Sequence, residues 1–210
     1  MIAGATGLVG SELMKMLIRD NTFSNVIILS RRETGFHHEK IAEYLVDFNQ
    51  PETWQDLVRG DILFSCMGTT IKSAGSQEKQ YLVDFTYQYE IAKAAAQNGV
   101  DQYILISSAG ANSNSKLFYS RIKGELEEKT RQLPFRKISI LRPSLLLGNR
   151  PNKRFGEQLA QKIIPFITRF VFKKYRPISG TTVAQGMIKA ALSVDSRQLY
   201  ELDEIFKLAE

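Results

Sequence analysis

Residues 4–10 of the 210-residue chain read Gly-Ala-Thr-Gly-Leu-Val-Gly, and this spacing constrains the fold more than any other feature. A short apolar entry, Ile2-Ala3, precedes it. A stretch with helical periodicity, Leu8 to Arg19, follows it. Three glycines at a strand-to-helix turn let the backbone turn sharply and let the helix pack closely on the strand it follows. The rest of the chain repeats the same alternation. Short apolar runs at Val26–Ser30, Asp61–Met67, Gln102–Ser107 and Lys137–Arg142 read as strands buried on both faces. Tyr44–Phe48 reads as another short strand. Between them, helices are predicted from Pro51 to about Arg59, from Gln80 to Asn98 and from Lys116 to Gln132, with a Gly-, Thr- and Ser-rich loop from Gly68 to about Gln77. Alternation of this kind gives an α/β fold, a doubly wound parallel sheet with helices on both faces. After Pro143 the pattern changes to a loop, a basic apolar helix, a return at Pro177–Ser179, a helix from about Val183 to Ser193 and a last strand near Leu199–Leu202. This tail reads as a small cap on the carboxyl edge of the sheet, with its substrate-side insertion at 144–182, inside a single domain spanning 1–210.

The glycine turn has a chemical reading. Gly4 allows the tight turn, Gly7 lets the backbone approach a pyrophosphate, and Gly10 permits close helix-to-strand packing. With Thr6, Leu8 and Val9 it presents unpaired N–H groups and the positive end of a helix dipole to phosphate. Only three residues precede Gly4, so either the first strand is unusually short or the chain begins upstream. About 20 residues beyond Gly10, the second strand ends in Ser30-Arg31-Arg32. A dinucleotide fold that prefers NAD places an acidic residue there for the ribose 2′-hydroxyl. Two guanidinium groups instead suit a 2′-phosphate, and NADP is the expected cofactor. Asp47 with Phe48, ending the next strand, is placed either to approach the adenine edge or simply to turn the chain.

Ser107-Ser108 ends a buried strand, the edge at which ligands bind in such sheets. Eleven residues after Ser108 stands Tyr119, and Lys123 lies four further on, on the same helix face. A phenol with a pKa of about 10 is a poor acid–base group near neutrality, and a neighbouring ammonium lowers it. In this pattern Ser108 holds a carbonyl or hydroxyl, Tyr119 gives or takes its proton, and Lys123 tunes the phenol and anchors the cofactor ribose.

With these residues in view, the chain resembles an atypical or extended short-chain dehydrogenase/reductase. It is similar to the Tat-interacting-protein oxidoreductase branch through Gly4–Gly10, Ser30-Arg31-Arg32, Cys66-Met67-Gly68-Thr69-Thr70, Lys72–Gly75, Ser107–Ala111, the Tyr119/Lys123 pair with Gly124-Glu125, and Leu141-Arg142-Pro143-Ser144. The resemblance implies a Rossmann fold that binds NADP, with Ser108, Tyr119 and Lys123 catalytic. It implies that Cys66, Met67, Gly68 and Thr69 line the cofactor, and that Pro143, Ser144, Leu145 and Leu146 face its nicotinamide. Two features depart from it. Asp84 stands where many extended members carry asparagine, and the substrate-side part is too small for a nucleotide sugar. Two activities therefore remain: an NADP-dependent oxidoreductase acting on a small carbonyl or alcohol, and an NADPH-binding regulator with little turnover.

Composition narrows the other classes. One cysteine, Cys66, excludes an internal disulfide and a multi-cysteine metal site, and the adjacent His37 and His38 read as loop residues, so no metal site is expected. No Gly-x-Ser-x-Gly elbow of a serine hydrolase is present. The most apolar stretch, Ile163 to Phe172, is interrupted by Pro165 and Arg169, well short of the roughly 20 residues of a membrane span. With no basic flank or apolar leader at Met1, a cytoplasmic location is expected. The net charge of +6 is local: from Arg150 to Arg176 eight bases face one acid, which leaves the remainder near −1. That stretch reads as a helix over the cleft, as a lid that attracts an anionic small-molecule substrate, or as a surface for a membrane or partner. No recognition element for nucleic acid accompanies it, and no nucleic-acid partner is expected. Tyr81, Tyr87 and Tyr89 read as helix packing or as a homodimer face.

Overall fold

The computed structural model describes residues 1–147, 175–194 and 198–210. Seven parallel strands form the central sheet: β1 (Ile2–Ala3), β2 (Val26–Ser30), β3 (Ile41–Leu45), β4 (Ile62–Ser65), β5 (Gln102–Ile106), β6 (Lys137–Arg142) and β9 (Leu199–Glu201). Their order across the sheet is β3-β2-β1-β4-β5-β6-β9. The chain therefore winds outward from β1 in one direction, returns, and winds outward from β4 in the other. The switch point lies between β1 and β4, where such folds open a crevice. This is the doubly wound α/β architecture, a Rossmann-type sheet, that the strand–helix alternation predicts.

Period-two alternation sorts the strand residues between two cores. Ile2, Ile28, Phe64, Ile104 and Leu141 face helices α1 (Leu8–Arg19) and α6 (Gly180–Leu192), meeting Leu13, Met14, Val183 and Met187. Ala3, Leu29, Leu63, Leu105 and Ile140 face the opposite layer, where Trp54, Ile91, Ala95 and Leu126 are buried. That layer is built from α4 (Tyr87–Gln97) and α5 (Phe118–Thr130). β1 is only two residues long, yet it is paired on both sides, Ile2 with Ile28 and Phe64, Ala3 with Leu29 and Ser65. Its place in the middle of the sheet compensates for its length.

Several elements differ from expectation. β3 runs over Ile41–Leu45, three residues earlier than predicted, because parallel pairing sets Val26 against Ile41 and Ser30 against Leu45. Asp47 then turns the chain, its Oδ1 accepting from the Asn49 backbone N–H at 2.9 Å. The helix predicted from Pro51 to Arg59 is instead two single 3₁₀ turns, Pro51–Thr53 and Gln55–Leu57. Between them Trp54 is fully buried and its indole N–H donates to the Asp47 carbonyl at 3.0 Å. The loop after β4 contains a short helix, α2 (Ile71–Ala74), capped by Thr70. The next helix begins at Gln77 as α3 (Gln77–Tyr81), capped by the Ser76 hydroxyl. It passes through a π-helical turn, Leu82–Thr86, before continuing as α4. The helix expected from Lys116 to Gln132 is the shorter α5.

The tail is not a cap throughout. β9 extends the sheet beside β6, α6 packs in the layer of α1, and α7 (Glu204–Ala209) packs against α6 through Ile205. The described part of 144–182 outside α6 centres on the two-stranded ribbon of β7 (Leu146–Leu147) and β8 (Ile178–Ser179). Most of that segment, with nearly all of the basic stretch 150–176, lies outside the described residues. At its end, the Arg176 guanidinium lies 3.7 Å from the centre of the Phe206 ring.

The start of α1 is set by a backbone contact. Gly4 has φ +89°, and a Cβ on Gly10 would fall 2.1 Å from the Gly4 carbonyl oxygen. That oxygen also accepts the Gly7 N–H at 3.1 Å. Gly10→Ala must force α1 off the turn, and we expect a loss of about 1–3 kcal/mol, read from the midpoint of urea unfolding.

Candidate active site

A crevice of about 1270 Å³ opens at the switch point. This exceeds the roughly 300–1,000 Å³ of an ordinary small-molecule pocket. Its floor is the glycine turn. Gly7 caps α1 without a side-chain bond, and no acidic residue stands in the first turn of the helix. The leading N–H groups and the positive end of the dipole are thus left for an anion. Gly4, Thr6, Gly7, Leu8 and Val9 line this part; Gly10 supports it from behind.

At the end of β2, Ser30, Arg31 and Arg32 form one rim. Both arginines are exposed, and neither has an ion pair among the described residues. Their loop is ordered from beneath by Glu43, whose Oε1 lies 2.9 Å from the Ser30 hydroxyl and accepts the Thr34 N–H at 2.9 Å. Phe48 is buried and lines the crevice. Asp47 does not: its carboxylate is turned into its own loop, accepting from Asn49 and Gln50. The turn-forming alternative therefore describes it.

The opposite wall follows β4. Cys66, Met67, Gly68 and Thr69 line it, joined by Thr70 and by Ile71 to Ser73 of α2, where the sequence pattern predicts only loop. Burial pushes the Cys66 thiol well above its usual range, so it lies there as a neutral group.

Tyr119 and Lys123 meet on α5, as their spacing requires, and both line the crevice. Lys123 is buried, with its Nζ 5.9 Å from the centre of the partly exposed Tyr119 ring. It forms an ion pair with the fully buried Asp84 at 2.9 Å. Burial alone lowers the lysine pKa, but Asp84, then Tyr119 and Glu127, outweigh it and hold the ammonium above its ordinary value. Close packing of α5 against the loop after β5 adds a steric demand. A Cβ on Gly124 would lie 2.1 Å from the Ser113 nitrogen.

Of the two serines, it is Ser107 that lines the crevice, and its hydroxyl donates to Glu127. Ser108, the expected catalytic serine, stands outside that lining, its hydroxyl 3.4 Å from the Ala109 carbonyl. Leu146 lines the crevice, whereas Pro143, Ser144 and Leu145 do not. The Ser144 hydroxyl donates to the Arg176 carbonyl, and Leu145 is exposed.

Sequence reasoning missed two buried carboxylates. In the sequence Asp84 marks only a departure from the family pattern, and Glu127 carries no motif. Glu127 is two turns beyond Tyr119 on the same helix face. It accepts from Arg142 Nε at 2.9 Å and from the terminal Nη2 at 2.6 Å, while Arg142 also reaches Glu201 on β9. The Glu127 carboxylate, followed by Glu201, holds the Arg142 guanidinium above its usual range. The signal available was the i, i+4, i+8 series Tyr119, Lys123, Glu127. Among the described residues, no cluster of His, Cys, Asp or Glu is arranged to hold a metal ion, and no helix is long and apolar enough to cross a membrane.

A family model described as NAD(P)H-binding matches residues 4–155. Protein FMP52, mitochondrial, of Candida glabrata is 35% identical over 227 residues, covering 99% of this chain and 96% of its own. Protein HTATIP2 of Rattus norvegicus is 32% identical over 206 residues, covering 96% and 84%. Among solved structures, a short-chain dehydrogenase/reductase superfamily protein from Agrobacterium tumefaciens with bound NAD superposes with a TM-score of 0.72. It is 14% identical and covers 96% of this chain and 76% of its own. FMP52 proteins from Eremothecium gossypii and Kluyveromyces lactis are likewise named mitochondrial. The expectation of a cytoplasmic location, which rested on the character of the first residues, is overturned by these relatives.

The ion pair generates a prediction. Lys123→Met strands Asp84 as a buried unpaired charge and should cost about 3–5 kcal/mol. The raised lysine pKa means that the pair's contribution is complete at neutral pH and is lost as pH rises through and beyond 10.5. Urea midpoints measured across that range should fall in the wild type, and Lys123→Met should lack this component of the fall.

Proposed function

The chain belongs to the NAD(P)H-binding family, and on that premise we propose that it is an NADP-dependent oxidoreductase acting on a small carbonyl or alcohol. The observation that carries this reading is the convergence in one crevice of an uncapped helix N-terminus, an arginine pair, and Tyr119 beside Lys123. The residues present fit the cofactor. A cradle with no side chain at Gly4 or Gly7 and an acid-free first helical turn suits a pyrophosphate. Arg31 and Arg32 suit the 2′-phosphate of NADP by forked, charge-assisted hydrogen bonds. When bound, the nicotinamide supplies or accepts the hydride. The protein's part is to orient the substrate oxygen, exclude water and move a proton at the Tyr119 hydroxyl. Lys123 steadies that hydroxyl and reaches the cofactor side of the wall. In this reading Ser108 is the third member of the set, and a substrate panel tests it together with Tyr119.

A second reading, an NADPH-binding regulator with little turnover, is favoured by one observation. Ser108 stands outside the crevice lining, and Ser107, which lines it, is committed to Glu127. A substrate panel with NADPH separates the two. The enzyme reading expects turnover of small carbonyls that falls at least about 100-fold in Tyr119→Phe. NADPH binding in the micromolar range with no turnover of any substrate would establish the regulator instead.

Cofactor choice is tested apart from activity. Arg31→Ala with Arg32→Ala should weaken NADPH at least about tenfold, following the loss of about 1.5–3 kcal/mol per charged hydrogen bond, and leave NADH nearly unchanged. Equal losses, measured by fluorescence titration, would remove the 2′-phosphate from the argument.

A further inference from the structure

Asp84 is a fully buried charge held from several sides, and the role given to Lys123 does not require it. It sits within the π-helical turn Leu82–Thr86, a rare irregularity that concentrates at functional sites. The Gln88 side-chain amide donates to the Asp84 carbonyl at 2.9 Å, and Gln88 is itself fixed by the Ser65 hydroxyl at the end of β4. One carboxylate oxygen accepts the Thr69 backbone N–H at 2.9 Å; the other faces Lys123 at 2.9 Å. Gln80, one turn earlier, donates to the Thr69 carbonyl at 3.2 Å. Ser65, Gln80, Asp84, Gln88 and Lys123 are all at most 2% exposed. Asp84 thus grips the crevice wall after β4 with one oxygen and the lysine with the other.

The charges around the phenol can be followed element by element. Lys123 is Tyr119's own neighbour on α5. Glu127, on the same face, is matched by Arg142 of β6. Asp84 enters from the α3–α4 helix and matches Lys123. Glu125 is turned to the Tyr81 hydroxyl and Arg121. Lys123, Arg142 and Arg121 therefore each have an anion, while Arg31, Arg32 and Lys72, which line the same crevice, have no ion pair among the described residues; beside Tyr119 on α5 stands a neutral pair in place of a bare ammonium.

Resting on the oxidoreductase reading above, we infer that Asp84 is a positioning residue that fixes the Lys123 ammonium beside Tyr119 and offsets its charge there. An unbalanced ammonium at that distance favours the phenolate.

Ionisation of Tyr119 can be read without substrate or cofactor, from the ring-carbon shifts of ¹³C-tyrosine across a pH titration, with Tyr119→Phe assigning the signal. Asp84→Asn keeps the size of the side chain and an oxygen for the Thr69 N–H, but leaves Lys123 unbalanced. The phenol pKa should then fall by about one unit. The double variant Asp84→Asn/Lys123→Met removes both charges and should return the phenol to within about half a unit of wild type. A phenol that does not move, or rises, in Asp84→Asn overturns the inference, as does a double variant that stays shifted. NADPH fluorescence titration of the same samples tests the parent reading separately. A phenol that moves in a protein that binds no NADPH defeats the oxidoreductase reading while leaving the charge balance in place.

Discussion

The Gly4 carbonyl oxygen and the α-carbon of Gly10 lie so close that no side chain fits between them. That contact fixes where α1 begins relative to β1, and the geometry of the crevice follows from it. Were the helix displaced by a methyl group, its leading N–H groups would no longer point into the gap between β1 and β4. The two-residue strand β1 holds its position because β2 and β4 grip it from both sides. The local turn and the long-range sheet therefore depend on each other. Glycine at position 10 serves packing, while at position 4 the positive φ makes it a conformational requirement.

The second organising device is electrostatic. The helical layer that carries Tyr119 also buries two ion pairs, Asp84–Lys123 and Glu127–Arg142. Buried pairs gain little net stability, since the loss of hydration offsets much of their attraction. What they supply here is placement. Asp84 ties the α3–α4 helix to the wall after β4 and to α5, and Glu127 ties α5 to β5 through Ser107 and to β6 through Arg142. The strand ends that border the crevice are thereby joined to the helix that presents the phenol. Hydrophobic contacts hold these layers together, but they permit sliding that hydrogen-bonded charges do not.

Much of this was legible in the sequence where a signal was local. The bounds of α1, β2 and β6 follow from apolar periodicity bracketed by glycine, arginine and proline. The Tyr119/Lys123 pairing follows from helix geometry alone. β3 was misplaced because an edge strand with a half-exposed pattern carries weak periodicity, and its register is set by β2. The run after Pro51 looked helical, yet burying Trp54 and satisfying its indole N–H broke the run into two turns. The π-helical turn has no sequence signature of its own. Pairing of Asp84 with Lys123 joins residues 39 apart in sequence, and without the fold nothing marks them as partners.

The distribution of charge within the crevice separates its two ends. Arg31 and Arg32, exposed and without ion pairs among the described residues, stand beside Glu33 at one end of the crevice and leave two bases against one acid on that rim. The Tyr119 end is built from charges matched in pairs and largely removed from water. A long-range positive field is useful for capturing a polyanion but would perturb an acid–base group placed within it. Under the proposed function, the β2 rim would take the phosphate groups and the Tyr119 end the proton transfer, so the two demands fall on opposite ends of one crevice. The inferred role of Asp84 links the two: it leaves Lys123 charged and offsets that charge beside the phenol.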